Sequence, residues 1–301
     1  MDQAMESTPA KSDSSGLSIG QLASIACLLE VAAPKPGNVH RSADFEDMTF
    51  QDFQLSAVAV GPVFENAASD GVGATVLKAI EATRQVTSVN TNLGLVLLLA
   101  PLAAVPAGQT LPDGIGPVLD QLTSDDASLV YKAIQLARPG GIGQVDEMDV
   151  HDAAPGDLLE AMRQARQRDM VARQYSDRFE NLLVEFVPWL IEELSPQRSL
   201  ADSIVRLQLR IMAEFPDSLI ARKCGLEVAR QAAAQASEVF SCEDGPRYHE
   251  KLSDLDFWLR SDHHERNPGT TADLVGATLF AGLRDGQLSV LLDSHDLAGV
   301  V

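Results

Sequence analysis

Basic residues are scarce in this chain of 301 amino acids. The 23 Lys and Arg stand against 43 Asp and Glu, a formal net charge of −20. A surface of that sign repels nucleic acid and anionic membranes, whose binding needs clustered Lys and Arg, so neither is expected as a partner. Cysteine is nearly absent. Cys27, Cys224 and Cys242 share no CxxC spacing, which excludes a disulfide framework and predicts buried free thiols in a reducing cytoplasm. No apolar run is long enough to cross a bilayer. The most hydrophobic stretch, LGLVLLLAPLAAV from Leu93 to Val105, is short and carries Pro101, so it reads as a buried core helix. The opening residues MDQAMESTPAKSDSSG lack the basic start and apolar stretch of a secretory signal, and residues 1–17 are expected to form a disordered tail. Aromatic residues make up only 5% of the chain and almost nothing alternates with period two, so strands are not expected.

What remains is rich in alanine and leucine, with apolar residues at helical spacing. The expected fold is all-α: a single-domain multi-helix bundle over residues 18–301, with long polar loops at one end. Ser18 should cap a first helix ending near Ala32, ahead of Pro34. Thr49 should cap a second, with Phe53, Ala57, Val60 and Phe64 on one face. Further helices are expected over 75–85, 93–105, 124–137, 156–175, 177–194, 200–215, 218–240, 248–260 and 271–284. The stretch RPGGIGQVDEMDVHDAAPG, residues 138–156, reads as a long loop, functional or disordered. Its GGIG lacks the preceding strand and the following GK[ST] of a phosphate-binding loop.

Four short stretches break the pattern of plain amphipathic helix. The first is PKPGN followed by HRSADFEDM. Pro34 and Pro36 stiffen a turn, Gly37 lets backbone approach a ligand, and Lys35 and Arg41 carry positive charge beside Asp44, Glu46 and Asp47, which could hold a cation. The second is TSVNTNLG, where Asn90, Thr91 and Asn92 stand at the start of the most apolar helix, to cap it or to leave its N–H groups for an anion. The third is EFPDSLIARKCG, with Asp217 or Ser218 as N-cap and Arg222 and Lys223 about a turn later. The fourth is HHERNPGTTADLVGATLF, in which Thr270 or Thr271 should cap a helix with Asp273 in its first turn. His263 and His264 are adjacent and lack the ligand spacing of a zinc site.

Taken together, the four stretches resemble the triphosphoribosyl-dephospho-coenzyme A synthase family. The family pattern has a glutamate, PKPG, and a histidine two residues before Asp-Met. Glu30, Pro34-Lys35-Pro36-Gly37 and Asp47-Met48 match it. Val89-Asn90-Thr91 and Gly94 match its V-N-T entry into an apolar helix. Asp217-Ser218, Arg222 and Gly225 match a later Asp-Thr stretch, and Pro268 to Leu274 match a P-G-G-S-A-D-L-like helix start. The chain departs from the pattern at Phe45, where the family has histidine, and at Asn92-Leu93, where it has histidine and lysine. His40 and Lys35 lie close enough in sequence to compensate.

The resemblance implies a cytoplasmic transferase that joins C1′ of the ATP ribose to a hydroxyl of 3′-dephospho-CoA, releasing adenine. Such a transfer builds oxocarbenium-like charge, which a carboxylate stabilises while a general acid helps the base depart. Asp47, Asp217 and Asp273 are expected as Mg²⁺-binding or transition-state carboxylates, with Glu30 approaching metal or ribose. Lys35, Arg222 and Lys223 are expected on phosphates, and Asn90 and Thr91 on the ribose or a phosphate oxygen. Pro36, Gly37, Asn38, Gly225, Gly269, Thr270 and Thr271 complete the expected substrate-binding set. Two alternatives stand beside this reading: the same site with another acceptor, such as a pterin, or a helical protein that binds a nucleotide without chemistry.

Overall fold

A computed structural model describes residues 16–137 and 156–288. Over these residues the protein is all-α, with fifteen α-helices, a π-helical turn and no strand. The expectations for the tail before residue 16 and for the loop at 138–155 lie outside the described residues.

The first half contains α1 (Ile19–Ala32), α2 (Phe50–Phe64), α3 (Ala67–Asp70), α4 (Val72–Val86), α5 (Leu93–Ala104), α6 (Leu111–Asp120) and α7 (Ser124–Ala137). Then come α8 (Leu158–Ala165), α9 (Met170–Ser176), the π-turn (Asn181–Phe186), α10 (Val187–Glu193) and α11 (Leu200–Glu214). The chain ends its described part with α12 (Ser218–Cys224), α13 (Leu226–Phe240), α14 (Pro246–Arg260) and α15 (Gly269–Arg284). Ser18 and Thr49 cap α1 and α2 as expected, each in a reciprocal capping box.

α5 is the axis of the bundle, with eleven of its twelve residues buried. Each fully buried leucine there contributes roughly 1.5–3 kcal/mol. Pro101 within α5 has no N–H to give the carbonyl of Leu97, one turn back. The buried Tyr175 hydroxyl donates to that carbonyl at 2.7 Å, so the proline leaves no orphaned acceptor in the core. α11 joins two apolar clusters. Ile204, Leu207 and Ile211 belong to the cluster that holds α5 and α15, whereas Val205, Leu209 and Met212 belong to the one formed with α12, α13 and α14.

Three expected helices prove to be interrupted. The one at 156–175 breaks because Asp169 caps a new helix, accepting from the N–H groups of Val171 at 2.8 Å and Ala172 at 3.2 Å. The one at 177–194 starts after Arg178 and Phe179, both with positive φ, and opens with a π-turn. The one at 218–240 breaks at Gly225, whose φ of 92° ends α12. The short α3 and α6, with their internal glycines, prolines or few residues, were too weakly periodic to be expected. α15 begins at Gly269, so Thr270 and Thr271 lie inside its first turn and are not its caps.

Asp217 ties two helix starts together. Its Oδ1 accepts from the N–H groups of Leu219 (2.8 Å) and Ile220 (3.0 Å), capping α12. Its Oδ2 accepts from the N–H (2.7 Å) and hydroxyl (2.8 Å) of Thr271 in α15. Ser218 donates to the Thr270 hydroxyl at 3.1 Å beside it. Losing a cap costs about 1 kcal/mol and stranding buried donors another 1–3 kcal/mol. Asp217→Ala is therefore expected to destabilise the protein by about 3 kcal/mol, a fall in melting temperature of roughly 6–12 °C. An unchanged melting curve would show that the clip contributes nothing.

Among the described residues no helix is long and apolar enough to cross a membrane. The three cysteines are free. Cys27 is buried, whereas Cys224 and Cys242 are half-buried, which corrects the expectation that all three are core thiols.

Candidate active site

A cavity of about 1010 Å³ opens where the end of α1, the 38–48 loop, the 88–91 loop and the starts of α5, α12 and α15 converge. α9 and the C-terminal end of α7 close its apolar side, through Ile134, Val171 and Ala172.

A pair of acids lines it. Asp273, four residues into α15, lies over the start of α5 and accepts from the N–H of Leu95. Gly94 makes this approach possible, because a Cβ there would stand 2.0 Å from Asp273 Oδ2. Asp273 keeps contact with the cavity yet is packed closely on its other sides. Burial, and then the neighbouring charges of Glu30 and Asp217, push its carboxyl well above the usual range, with the Leu95 N–H opposing. Glu30 reaches the same wall from α1 and is paired at 2.8 Å with Lys35 Nζ, which also donates to the Glu30 carbonyl. Cys27, one turn before Glu30, is pushed up to about 12, mainly by burial.

The PKPGN stretch is tied into the fold by its own contacts. Lys35 is fully buried and lies off the cavity. The Pro36 carbonyl accepts from Gln208 of α11 at 3.1 Å, and the Gly37 N–H donates to Asp256 of α14 at 2.7 Å. Gly37 has φ of 75°, and a Cβ there would stand 2.8 Å from both Leu259 and Pro268. Asn38 alone of this stretch lines the cavity, and its carboxamide oxygen accepts from Gln208 at 2.8 Å.

Three basic residues also line the cavity. Arg222 donates to Asp169 at 2.6 Å, Lys223 reaches Asn267 at 3.5 Å, and Arg84 donates to the Ser88 carbonyl. Asn90 accepts from the Leu93 N–H at 3.2 Å, and the Thr91 and Ser56 hydroxyls are 2.7 Å apart. At the mouth, Asp47 Oδ1 is 3.0 Å from His264 Nε2, and the His264 ring stacks on Phe45 with centroids 4.5 Å apart.

Of the residues singled out in the sequence, Glu30, Asn38, Asp47, Asn90, Thr91, Arg222, Lys223, Gly269, Thr270 and Asp273 share this cavity. Lys35, Pro36, Gly37, Asp217, Gly225 and Thr271 do not line it. Lys35 is spent on Glu30, Asp217 on four hydrogen bonds, and Gly225 on a helix break. His40 does not replace the missing loop histidine, since it is held off the cavity, and burial and Arg260 lower its pKa. Arg84 and Asp169 went unrecognised. Asp169 carries the signal of an N-cap, whereas nothing in the sequence around Arg84 sets it apart.

Among the described residues no three His, Cys, Asp or Glu side chains converge as a metal-binding set. Glu30 and Asp273 nonetheless line the cavity together, and the charge of Glu30 helps to raise the Asp273 carboxyl. That arrangement fits Mg²⁺, which takes one or two protein carboxylates and completes its shell with water and phosphate.

No curated protein matches the chain significantly. A solved structure from Archaeoglobus fulgidus, assigned as a triphosphoribosyl-dephospho-CoA synthase, superposes with a TM-score of 0.61 at 25% identity, covering 77% of this chain and 98% of that one. Residues 17–290 match the model of the ATP:dephospho-CoA triphosphoribosyl transferase family, and the chain belongs to that family of transferases.

Proposed function

We propose that the cavity binds Mg²⁺-ATP together with 3′-dephospho-CoA and transfers the triphosphoribosyl group to an acceptor hydroxyl. The observation that carries this reading is that Glu30 and Asp273 line one cavity together with Arg84, Arg222 and Lys223. At about 1010 Å³ that space lies at the upper end for a ligand site, as two large substrates require. The basic residues suit the triphosphate. Glu30 and Asp273 would hold the magnesium ion, which would offset the phosphate charge in this acidic protein.

In the reaction the C1′–N9 bond of ATP breaks and a C1′–O bond to the acceptor forms. Adenine leaves with the proton that the acceptor hydroxyl gives up, relayed through a side chain or water. Asp47, which lines the cavity, would take part in that relay or face the ribose. The apolar wall of Ile134, Val171 and Ala172 suits the adenine ring and keeps water from C1′.

A second reading keeps the reaction and changes the acceptor. It is favoured by Phe45, Asn92 and Leu93, which all stand on the cavity wall where the family pattern has histidine, histidine and lysine. One experiment separates the readings. Purified protein is incubated with ATP, Mg²⁺ and dephospho-CoA or a pterin, and adenine, ADP and AMP are followed by chromatography. Adenine released only with dephospho-CoA supports the first reading, and adenine only with another acceptor supports the second. A nucleotide-dependent rise in melting temperature without adenine would leave a binding protein.

Gly94→Ala tests the site without removing any functional group. The new methyl must displace Asp273, and a shift of about 1 Å at a reacting centre costs on the order of 100-fold. Turnover should fall by about that factor while the circular dichroism spectrum is unchanged, since alanine favours the helix. Full activity would place Asp273 outside the chemistry.

A further inference from the structure

His263 and His264 follow α14 with φ of 45° and 53°. Two adjacent side-chain-bearing residues in the left-handed region are costly, and such backbone persists where the surrounding structure holds it, often at functional sites. Here the turn returns the His264 imidazole over the cavity mouth. The ring lies nearly parallel to Phe45, at 19°, and Arg260 stands 5.2 Å from the Phe45 centroid. Arg260 is itself fixed, donating to Asp256 at 2.8 Å and to the Asn38 carbonyl. The imidazole is thus held by its face, and its Nε2 stands 3.0 Å from Asp47 Oδ1. Asp47 comes from a loop and its side chain is 63% exposed, so without a partner it would sample several rotamers.

We infer that His264 is a positioning residue for the transfer: it donates its Nε2–H to Asp47 and fixes that carboxylate at the mouth of the substrate cavity. The inference rests on the reaction proposed above and adds a residue from the far side of the site. Stacking on Phe45 would be enough to close the loop. The approach of Nε2 to Asp47 adds a hold on a carboxylate that, in the reaction proposed above, faces the substrate.

Two variants separate those roles. His264→Phe keeps a ring to stack on Phe45 and loses the donor, whereas His264→Gln keeps a donor in about the same place and loses the ring. With ATP, Mg²⁺ and the working acceptor, H264F is expected to lose about 10- to 100-fold in kcat with an unchanged melting temperature, and H264Q to recover most of it. The loss in H264F should vanish in an Asp47→Asn background, where there is no carboxylate left to place. Full activity in H264F, equal losses in both variants, or an H264F loss that persists in D47N would overturn the inference. If the wild-type protein releases no adenine with any acceptor, the reaction proposed above falls. His264 is then judged by calorimetric Mg²⁺-ATP affinity, where H264F must bind more weakly than H264Q and equal binding overturns the inference.

Discussion

Asp273→Asn is expected to cut adenine release severely and, in the same protein, to raise the melting temperature. The two effects have one cause. Asp273 is pressed between Glu30, Gly94 and the start of α5, where burial and like charge disfavour its ionised form. A carboxyl whose folded pKa lies above its unfolded value adds stability at acid pH. That stability is withdrawn as the pH rises through the folded value. At neutral pH the wild-type protein bears this cost, and asparagine, which can still accept from the Leu95 N–H, does not. The gap in melting temperature between variant and wild type should therefore widen from acid to neutral pH. Mg²⁺-ATP should narrow it by stabilising the wild type alone. Turnover should drop by about 1000-fold, in the range for loss of a charged group that acts on the transition state. A variant that melts earlier than the wild type would make Asp273 a structural acid, and one that keeps turnover would remove it from the mechanism.

The second large effect is expected at Lys35. Its ammonium is fully buried against Glu30, and removing one member of a buried pair costs roughly 3–5 kcal/mol because the other charge is left stranded. Lys35→Met should lower the melting temperature by roughly 6–20 °C. Removing the stranded charge as well, in Lys35→Met with Glu30→Gln, should return most of the lost stability while leaving the protein without turnover. If the single variant melts with the wild type and loses only ATP affinity, Lys35 reaches phosphate after all.

These two residues also show what could be read from the chain before its fold was known. Both were visible as candidates, since a lysine in a Pro-Lys-Pro-Gly turn and an aspartate near a helix start are chemically conspicuous. Only Asp273 reaches the cavity. The sequence of a turn reports its stiffness and its charges but not which way its side chains face, and Gln208 and Asp256, far along the chain, decide that for PKPGN. The apolar helix α5 and the capped starts of α1 and α2 were legible because their signals are local. The breaks at Asp169 and Gly225 were not, because helical apolar spacing continues through them. His264 was hidden for a related reason. Its backbone departs from the helical path, so counting positions along a helix misplaces the imidazole that meets Asp47.

The Asp217 clip has a consequence for how ligand binding is driven. α12 carries Arg222 and Lys223, α15 carries Asp273, and four short hydrogen bonds to one carboxylate join the two helix starts without slack. Opposite charges are thus set at fixed separation during folding. In the reaction proposed above, the entropy of assembling them would already be spent when a nucleotide arrives, which would leave more of the contact energy for affinity and alignment.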